Sequence, residues 1–333
     1  MKVVIPAAGA GTRLRPHTYT TPKSLLPVAG KPILGHILDG IKGFDVSEVI
    51  IIVGSYRDRI EDFVRESYSF KTRYVEQKEL RGLGYAVYLA ADYFGDEPIF
   101  IVLGDTIYKA DLDTVFRNGG NYIGVKSVKD PRRFGVAEVE ADKITRLIEK
   151  PENPTSNLAV VGLYYIEDSD VLKSSLKEIV EGGKRTKGEY QLTDALQIMI
   201  EKGAELKVFD VDGWYDCGKP ETLLSTNRYL LNEMESSEKI KGSIIIPPVF
   251  VPPSAKIDNS IIGPYVSIGD GAKISNSIIR DSIIGRETEV ERSVFELSLI
   301  GDFARIKTGV QRLNIGSSSE IVINSIDHIN SKE

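Results

Sequence analysis

The chain has 333 residues, too many for one ordinary core and about right for two domains. Hydrophobic residues make up 41% and charged residues 27%, and a net charge of −6 argues against a nucleic-acid-binding surface. One cysteine, Cys217, rules out an internal disulfide. The apolar run Val3–Ala8 is too short for a signal peptide and no run approaches a membrane helix, so the chain reads as cytoplasmic.

In chain order, "KVVIPAA", "EVIIIVG" and "PIFIVLGD" are apolar runs bounded by Gly or Asp and predict buried strands. Between them "PILGHILDGIKGF" and "RDRIEDFVRESY" place apolar residues at helical spacing. This alternation predicts a mostly parallel sheet with helices on both faces. Later strands ("NYIGVKSV", "FGVAEVE", "LAVVGLYYIE", "ELKVFDV") lie closer together and make the sheet mixed. "PETLLSTNRYLLNEMESS" predicts a helix with Pro near its start, closing the first domain, residues 1–237.

From residue 238 to 333 the pattern changes. Ile-Gly steps recur at Ile262–Gly263, Ile268–Gly269, Ile284–Gly285, Ile300–Gly301 and Ile315–Gly316, with apolar residues every five or six positions between them. This is the pattern of a parallel β-helix, whose coils bury their apolar sides only by stacking. A β-sandwich with regular turns is the less favoured alternative. Phe295, Leu297 and Leu299 need cover, which predicts a homo-oligomer with contacts through the coils.

The chemistry-bearing residues cluster in short stretches. Gly9, Gly11 and Thr12 follow the first strand, where backbone N–H groups can face a phosphate without Cβ obstruction. Arg13, Arg15 and Lys23 add the charge a triphosphate needs. "GWYDCGKP" imitates a phosphate loop, but Pro220 stands where that loop needs Ser or Thr. Asp105 and Asp216 each end an apolar run, and two such carboxylates suit one Mg²⁺ completed by substrate phosphates.

Together these stretches resemble the sugar-1-phosphate nucleotidylyltransferases, above all the long form of the glucose-1-phosphate thymidylyltransferases. "GAGTRLRP", "PKSLLPVAGKPIL", "VLGD", "LIEKP", "VVGLYYI", "GEYQLTDAL" and "WYDCG" follow one another in that family's order. The resemblance implies a Rossmann-like domain followed by a left-handed parallel β-helix. It implies that Ala8, Gly9, Gly11, Thr12 and Arg13 hold the nucleotide, that Gln77 and Gly82 read a pyrimidine base, and that Lys23 sits on the reacting phosphates. Gly135, Glu149, Lys150, Val161 and Trp214 match the sugar-phosphate contacts, and Asp105 and Asp216 the magnesium ligands. Arg13, Lys23 and Asp105 would carry the catalysis. Ala8, Leu80 and Gly84 depart from the thymidylyltransferase pattern beside the base pocket and leave dTTP and UTP both open, as are glucose and N-acetylglucosamine. Rival functions are a non-catalytic subunit of the same architecture and an acyltransferase on the β-helix. The second needs a histidine on the coils, whereas the only histidine after residue 36 is His328.

Overall fold

The structure, a computed structural model, describes residues 1–234 and 239–308. The expected domain boundary at residue 237, the Ile315–Gly316 step and His328 lie outside the described residues.

The first region is built on a nine-stranded sheet of β1 (Lys2–Pro6), β2 (Glu48–Val53), β3 (Thr72–Glu76), β4 (Ile99–Val102), β6 (Asn121–Ser127), β7 (Gly135–Glu140), β8 (Lys143–Glu149), β9 (Leu158–Ile166) and β10 (Leu206–Asp210). A separate antiparallel pair, β5 (Thr106–Lys109) and β11 (Gly213–Asp216), sits beside it. The helices are α1 (Ile33–Ile41), α2 (Arg57–Ser67), α3 (Leu83–Ala90), α4 (Leu112–Asn118), α5 (Ser169–Glu181), α6 (Leu192–Glu201) and α7 (Pro220–Asn232). Sheet order is β3-β2-β1-β4-β9-β6-β10-β8-β7.

Alternate residues of the central strands feed two separate cores. Val3, Ile5, Val49 and Ile51 pack with α1 and α2 on one face. Val4, Ile50, Ile52 and Ile101 pack with α3, α5 and α6 on the other. A strand buried on both faces has no polar side to show, which is why these segments read as unbroken apolar runs.

Parallel pairing joins β3, β2, β1 and β4, and recurs only between β6 and β10. The remaining neighbours run antiparallel, so the sheet is evenly mixed rather than mostly parallel. The reason is local. Parallel neighbours need a long crossover, whereas β7 and β8 are joined by Ala141–Asp142, both at positive φ, the geometry of a tight hairpin.

Among the described residues 239–308, short strands stack into three parallel sheets of four strands each, the arrangement of a parallel β-helix. Ile262, Ile279, Ile268, Ile284, Ile274 and Val290 fill the interior. The repeat is 17 residues in the early coils and 16 in the later ones. Ile268, Ile284 and Ile300 share one sheet, but Ile262 belongs to another face, so the first Ile-Gly step is out of phase with the rest. A Cβ on Gly285 would lie 2.5 Å from the backbone N of Asp302 in the next coil, so only glycine fits there. At one corner a buried serine ladder ties the coils together. The hydroxyls of Ser243, Ser260 and Ser277 accept the amides of Ser260, Ser277 and Ser293, one coil further on, at 3.1–3.2 Å.

The coils dock on the first region. Ile283 is buried in the α1/α2-side core and Leu299 packs against it, so this chain itself covers Leu299. Arg228 on α7 makes a two-pronged ion pair with Asp281 of the coils.

Candidate active site

The site forms where the strand order reverses. The chain leaves β1 for β2 on one side, while β4 lies on the other, which opens a crevice beyond their carboxyl ends. Ala7–Gly9 follow β1 and Leu103–Asp105 follow β4. These two exits touch. The amide of Gly104 donates to the carbonyl of Pro6 at 3.1 Å, and a Cβ on Gly104 would stand 2.7 Å from that oxygen.

Two clefts open here. The first, of about 360 Å³, is walled by Ala8, Gly9, Lys23, Gln77, Gly82 and Glu189. The second, of about 220 Å³, is walled by Gly135, Glu149, Val161, Thr193, Trp214 and Asp216. They share Leu83, Leu103 and Asp105, so Asp105 stands where they meet.

Asp105 and Asp216 converge on one point. The Lys23 ammonium, on a short 3₁₀ turn after Pro22, lies 2.5 Å from Asp105 Oδ2 and 3.9 Å from Asp216 Oδ1. The backbone holds this arrangement: Asp216 pairs with Thr106 across β11 and β5, and the Cys217 amide donates to the Asp105 carbonyl at 3.1 Å. Both carboxylates are 37% exposed, whereas the Lys23 side chain is 11% exposed. Two hard oxygen donors aimed at one cation and open to added ligands fit a magnesium ion. Among the described residues no cluster of three or more His, Cys, Asp and Glu exists, so further ligands would have to come from substrate or water. Burial pushes the Cys217 thiol up to about 12, so the sulfur beside this centre is inert as a nucleophile.

Arg13 joins the same centre from the other side. Its Nη2 lies 2.7 Å from where a Cβ on Gly218 would be, against the segment that carries Asp216. Gly11, in the left-handed region, and the exposed Thr12 are not part of either wall. Gln77 is buried, and its amide nitrogen donates to the Glu79 carbonyl at 3.2 Å. Gly82, at φ 108°, is pressed against the Tyr190 backbone.

In the second cleft Glu149 is held by the Thr193 hydroxyl at 2.8 Å, and Trp214 meets Phe134 edge-on at 4.8 Å. Lys150 is not in the wall. Its ammonium lies 3.3 Å from Glu149 and is 44% exposed. Thr193, Phe134 and Glu189 were missed by sequence reasoning. Thr193 and Glu189 lie inside the "GEYQLTDAL" stretch, and that stretch was the signal available.

This architecture is that of an α/β enzyme working beyond the carboxyl ends of parallel strands. A model of the family "Nucleotidyl transferase" matches residues 2–233, and the chain belongs to that family. It is similar to the low-salt glycan biosynthesis nucleotidyltransferase Agl11 of Haloferax volcanii, 35% identical over 73% of this chain and 69% of the relative. The bifunctional protein GlmU of Methanocaldococcus jannaschii is 37% identical over 74% of this chain and 60% of its own length. A glucose-1-phosphate thymidylyltransferase of Streptomyces antibioticus is 34% identical over 73% and 69%. Among solved structures, a candidate glucose-1-phosphate thymidylyltransferase from Bacillus anthracis, crystallised with sucrose, aligns with TM-score 0.61 at 30% identity, over 72% of this chain and 98% of that one. A UDP-glucose pyrophosphorylase bound to UDP-glucose aligns with TM-score 0.62 at 25% identity, over 70% and 99%. The chain is accordingly a nucleotidyltransferase, similar to enzymes that act on sugar 1-phosphates.

Proposed function

We propose that the protein transfers a nucleotidyl group from dTTP or UTP to a sugar 1-phosphate, most directly glucose 1-phosphate, with release of pyrophosphate. The observation that carries this reading is the meeting of two clefts at Asp105, with Lys23 in the wall of the first and Asp216 in the wall of the second. In this reading the triphosphate occupies the first cleft, with Ala8 and Gly9 along its phosphates and Gln77 and Gly82 at the base, while Gly11 and Thr12, outside the wall, would reach the phosphates by movement of their loop. The sugar 1-phosphate occupies the second, against Gly135, Glu149, Val161 and Trp214, with Lys150 turning from Glu149 to the phosphate.

The acceptor needs no base, because a phosphate monoester with a second pKa of about 6 is already ionised near neutrality. The barrier is repulsion between two polyanions, so positioning and positive charge do most of the work. Lys23 follows the charge at the α-phosphorus as a mobile point charge, and the forked guanidinium of Arg13 suits the departing pyrophosphate. Asp105 and Asp216 would hold Mg²⁺, which when bound neutralises phosphate charge. Thr193 keeps Glu149 oriented to accept from sugar hydroxyls.

The domains in this reading are residues 1–237 for transfer and 238–333 for a left-handed β-helix. The outward ladder Ile244, Ile261, Ile278 and Val294, with Ile244 and Val294 exposed, supports a homo-oligomer through the coils, checked by mass in solution. A reducing cytoplasm suits the buried free thiol of Cys217.

The test is pyrophosphate release across a grid of nucleoside triphosphates and sugar 1-phosphates. A site built on hydrogen bonds rejects mismatched partners strongly, so dTTP or UTP should lead. A purine triphosphate as best substrate would overturn the base-pocket assignment, and no release with any pair would overturn the function.

A further inference from the structure

Helix α7 runs along the seam between the coils and the first region. Asn227 on α7 is fully buried in that seam and makes three hydrogen bonds to three different places. Its Oδ1 accepts the Ala29 amide at 2.8 Å and the Ser267 hydroxyl at 2.5 Å, and its Nδ2 donates to the Tyr265 carbonyl at 3.3 Å. Ser267 and Tyr265 belong to the coils. Ala29, at φ 47°, forms with Gly30 the turn that ends the Lys23-bearing segment. The Phe250 ring of the coils fills the space over Gly30, where a Cβ would lie 2.2 Å from it. α7 itself begins just after Asp216–Gly218. The loop carrying Arg13 rests on the coils too: His17 Nδ1 lies 3.5 Å from the Cβ position of Gly301.

The geometry points to a role for the coil stack in transfer itself, with Asn227 as a positioning residue that fixes the Lys23 segment relative to Asp216. This rests on the proposed function for the meaning of Lys23, and it goes beyond the expectation of a homo-oligomer with contacts through the coils. Asn227 touches no reacting atom. It acts through the Ala29–Gly30 turn, and a buried amide with its donor and acceptor both satisfied holds one geometry, because any shift leaves a polar group unpaired. Displacement of a charged group by about 1 Å can cost up to about a hundredfold in rate.

Arg228, the next residue on α7, supplies the control. It bonds across the same seam to Asp281 and its guanidinium lies 6.0 Å from the Tyr265 ring, and neither partner belongs to the Lys23 segment. The experiment compares full-length Asn227→Ala, Ser267→Ala and Arg228→Ala with the parent chain. It reads kcat and both KM values well below every melting temperature, together with amide exchange in residues 22–31. Asn227→Ala should lower kcat about tenfold, leave KM for the sugar phosphate within twofold, and speed exchange in residues 22–31. Arg228→Ala should lower the melting temperature with normal kcat and unchanged exchange there. Ser267→Ala, which keeps the bond to Ala29, should fall between them and serves as the reading if Asn227→Ala does not fold. Unchanged exchange in residues 22–31 in both Asn227→Ala and Ser267→Ala overturns the proposal. So does a loss of kcat that tracks melting temperature equally in all three. A parent chain without transfer activity would instead refute the function, and the exchange measurement would still decide the brace.

Discussion

In the coil stack each residue meets its counterpart sixteen or seventeen places along the chain, while in the α/β region the groups that matter meet from far apart. Lys23, Asp105 and Asp216 come from three distant segments, and both carboxylates end within 4 Å of the Lys23 ammonium. Ile262, Ile279 and Phe295 come from successive coils and stack in order. The first arrangement is a product of the whole fold, the second of a local rule applied repeatedly. Damage should therefore behave differently in the two places, abolishing chemistry without unfolding at the charged centre, and in the coil interior appearing first as unfolding, with chemistry reached only through the seam at Asn227.

The largest effect is expected at the charged centre. Asp105→Asn should lower turnover by about a hundredfold or more, the scale for removal of one preorganised electrostatic group. Its melting temperature should move by no more than about 2 °C, because a carboxylate this exposed contributes little to stability. Turnover within threefold of the parent would break the comparison at its strongest point.

Next comes the coil interior. Ile279→Ala removes a fully buried side chain between two coils and should cost about 2–5 kcal/mol. The loss should appear as earlier unfolding of the coils in urea, with Trp214 fluorescence, which reports on the first region, changing later. A single shared transition at the parent's midpoint would show that Ile279 does not carry its coil.

Thr193→Val keeps the side-chain shape and deletes the bond to Glu149. It should raise KM for the sugar 1-phosphate about tenfold, as for a lost hydrogen bond to a charged group, with the nucleotide KM unchanged. Equal changes in both KM values would place Thr193 outside the second cleft's business.

The smallest effect concerns pH. Burial holds His36 below its ordinary value of 6.5, outweighing its bond to the Val28 carbonyl. The folded chain therefore keeps this imidazole neutral. Its contribution to stability is complete above 6.5 and is lost as pH falls through the folded value, because the unfolded chain takes up the proton first. His36→Asn should flatten the fall in melting temperature between about pH 7 and 5. A slope unchanged by this substitution would remove His36 from the account.

These contrasts also explain what could be read in advance. The strands and helices of the first region were legible because burial on both faces leaves an unmistakable apolar run. The extent of parallel pairing was not, since it depends on link length and hairpin geometry such as that at Ala141–Asp142. The coil repeat was legible in period but not in phase. Ile-Gly marks a corner, each coil has three corners, and Ile262–Gly263 belongs to a different one from Ile268–Gly269. Within the site, Asp105 borders both clefts, Lys23 the first, and Asp216, Glu149 and Trp214 the second. Lys150 does not enter the wall, because its stem leads toward Glu149 and solvent. Thr193 escaped notice because its significance lies in a neighbour more than forty residues away. Asn227 was invisible for the same reason: in sequence it is one polar residue within a helix, and only the seam gives it three partners.

The serine ladder of the coils has an evolutionary reading. Each rung is satisfied only by a serine one full coil away, so the tail can change length cheaply in whole coils. Excising a complete coil leaves every remaining hydroxyl facing an amide. Excising one residue from a strand turns each following side chain to the wrong side and unpairs the ladder beyond it. The corners are the exception: the repeat drops from 17 to 16 between the face of Ile262 and that of Ser267 with both sheets intact. Relatives of this chain should therefore differ in tail length by multiples of about sixteen residues, with odd single insertions confined to corners.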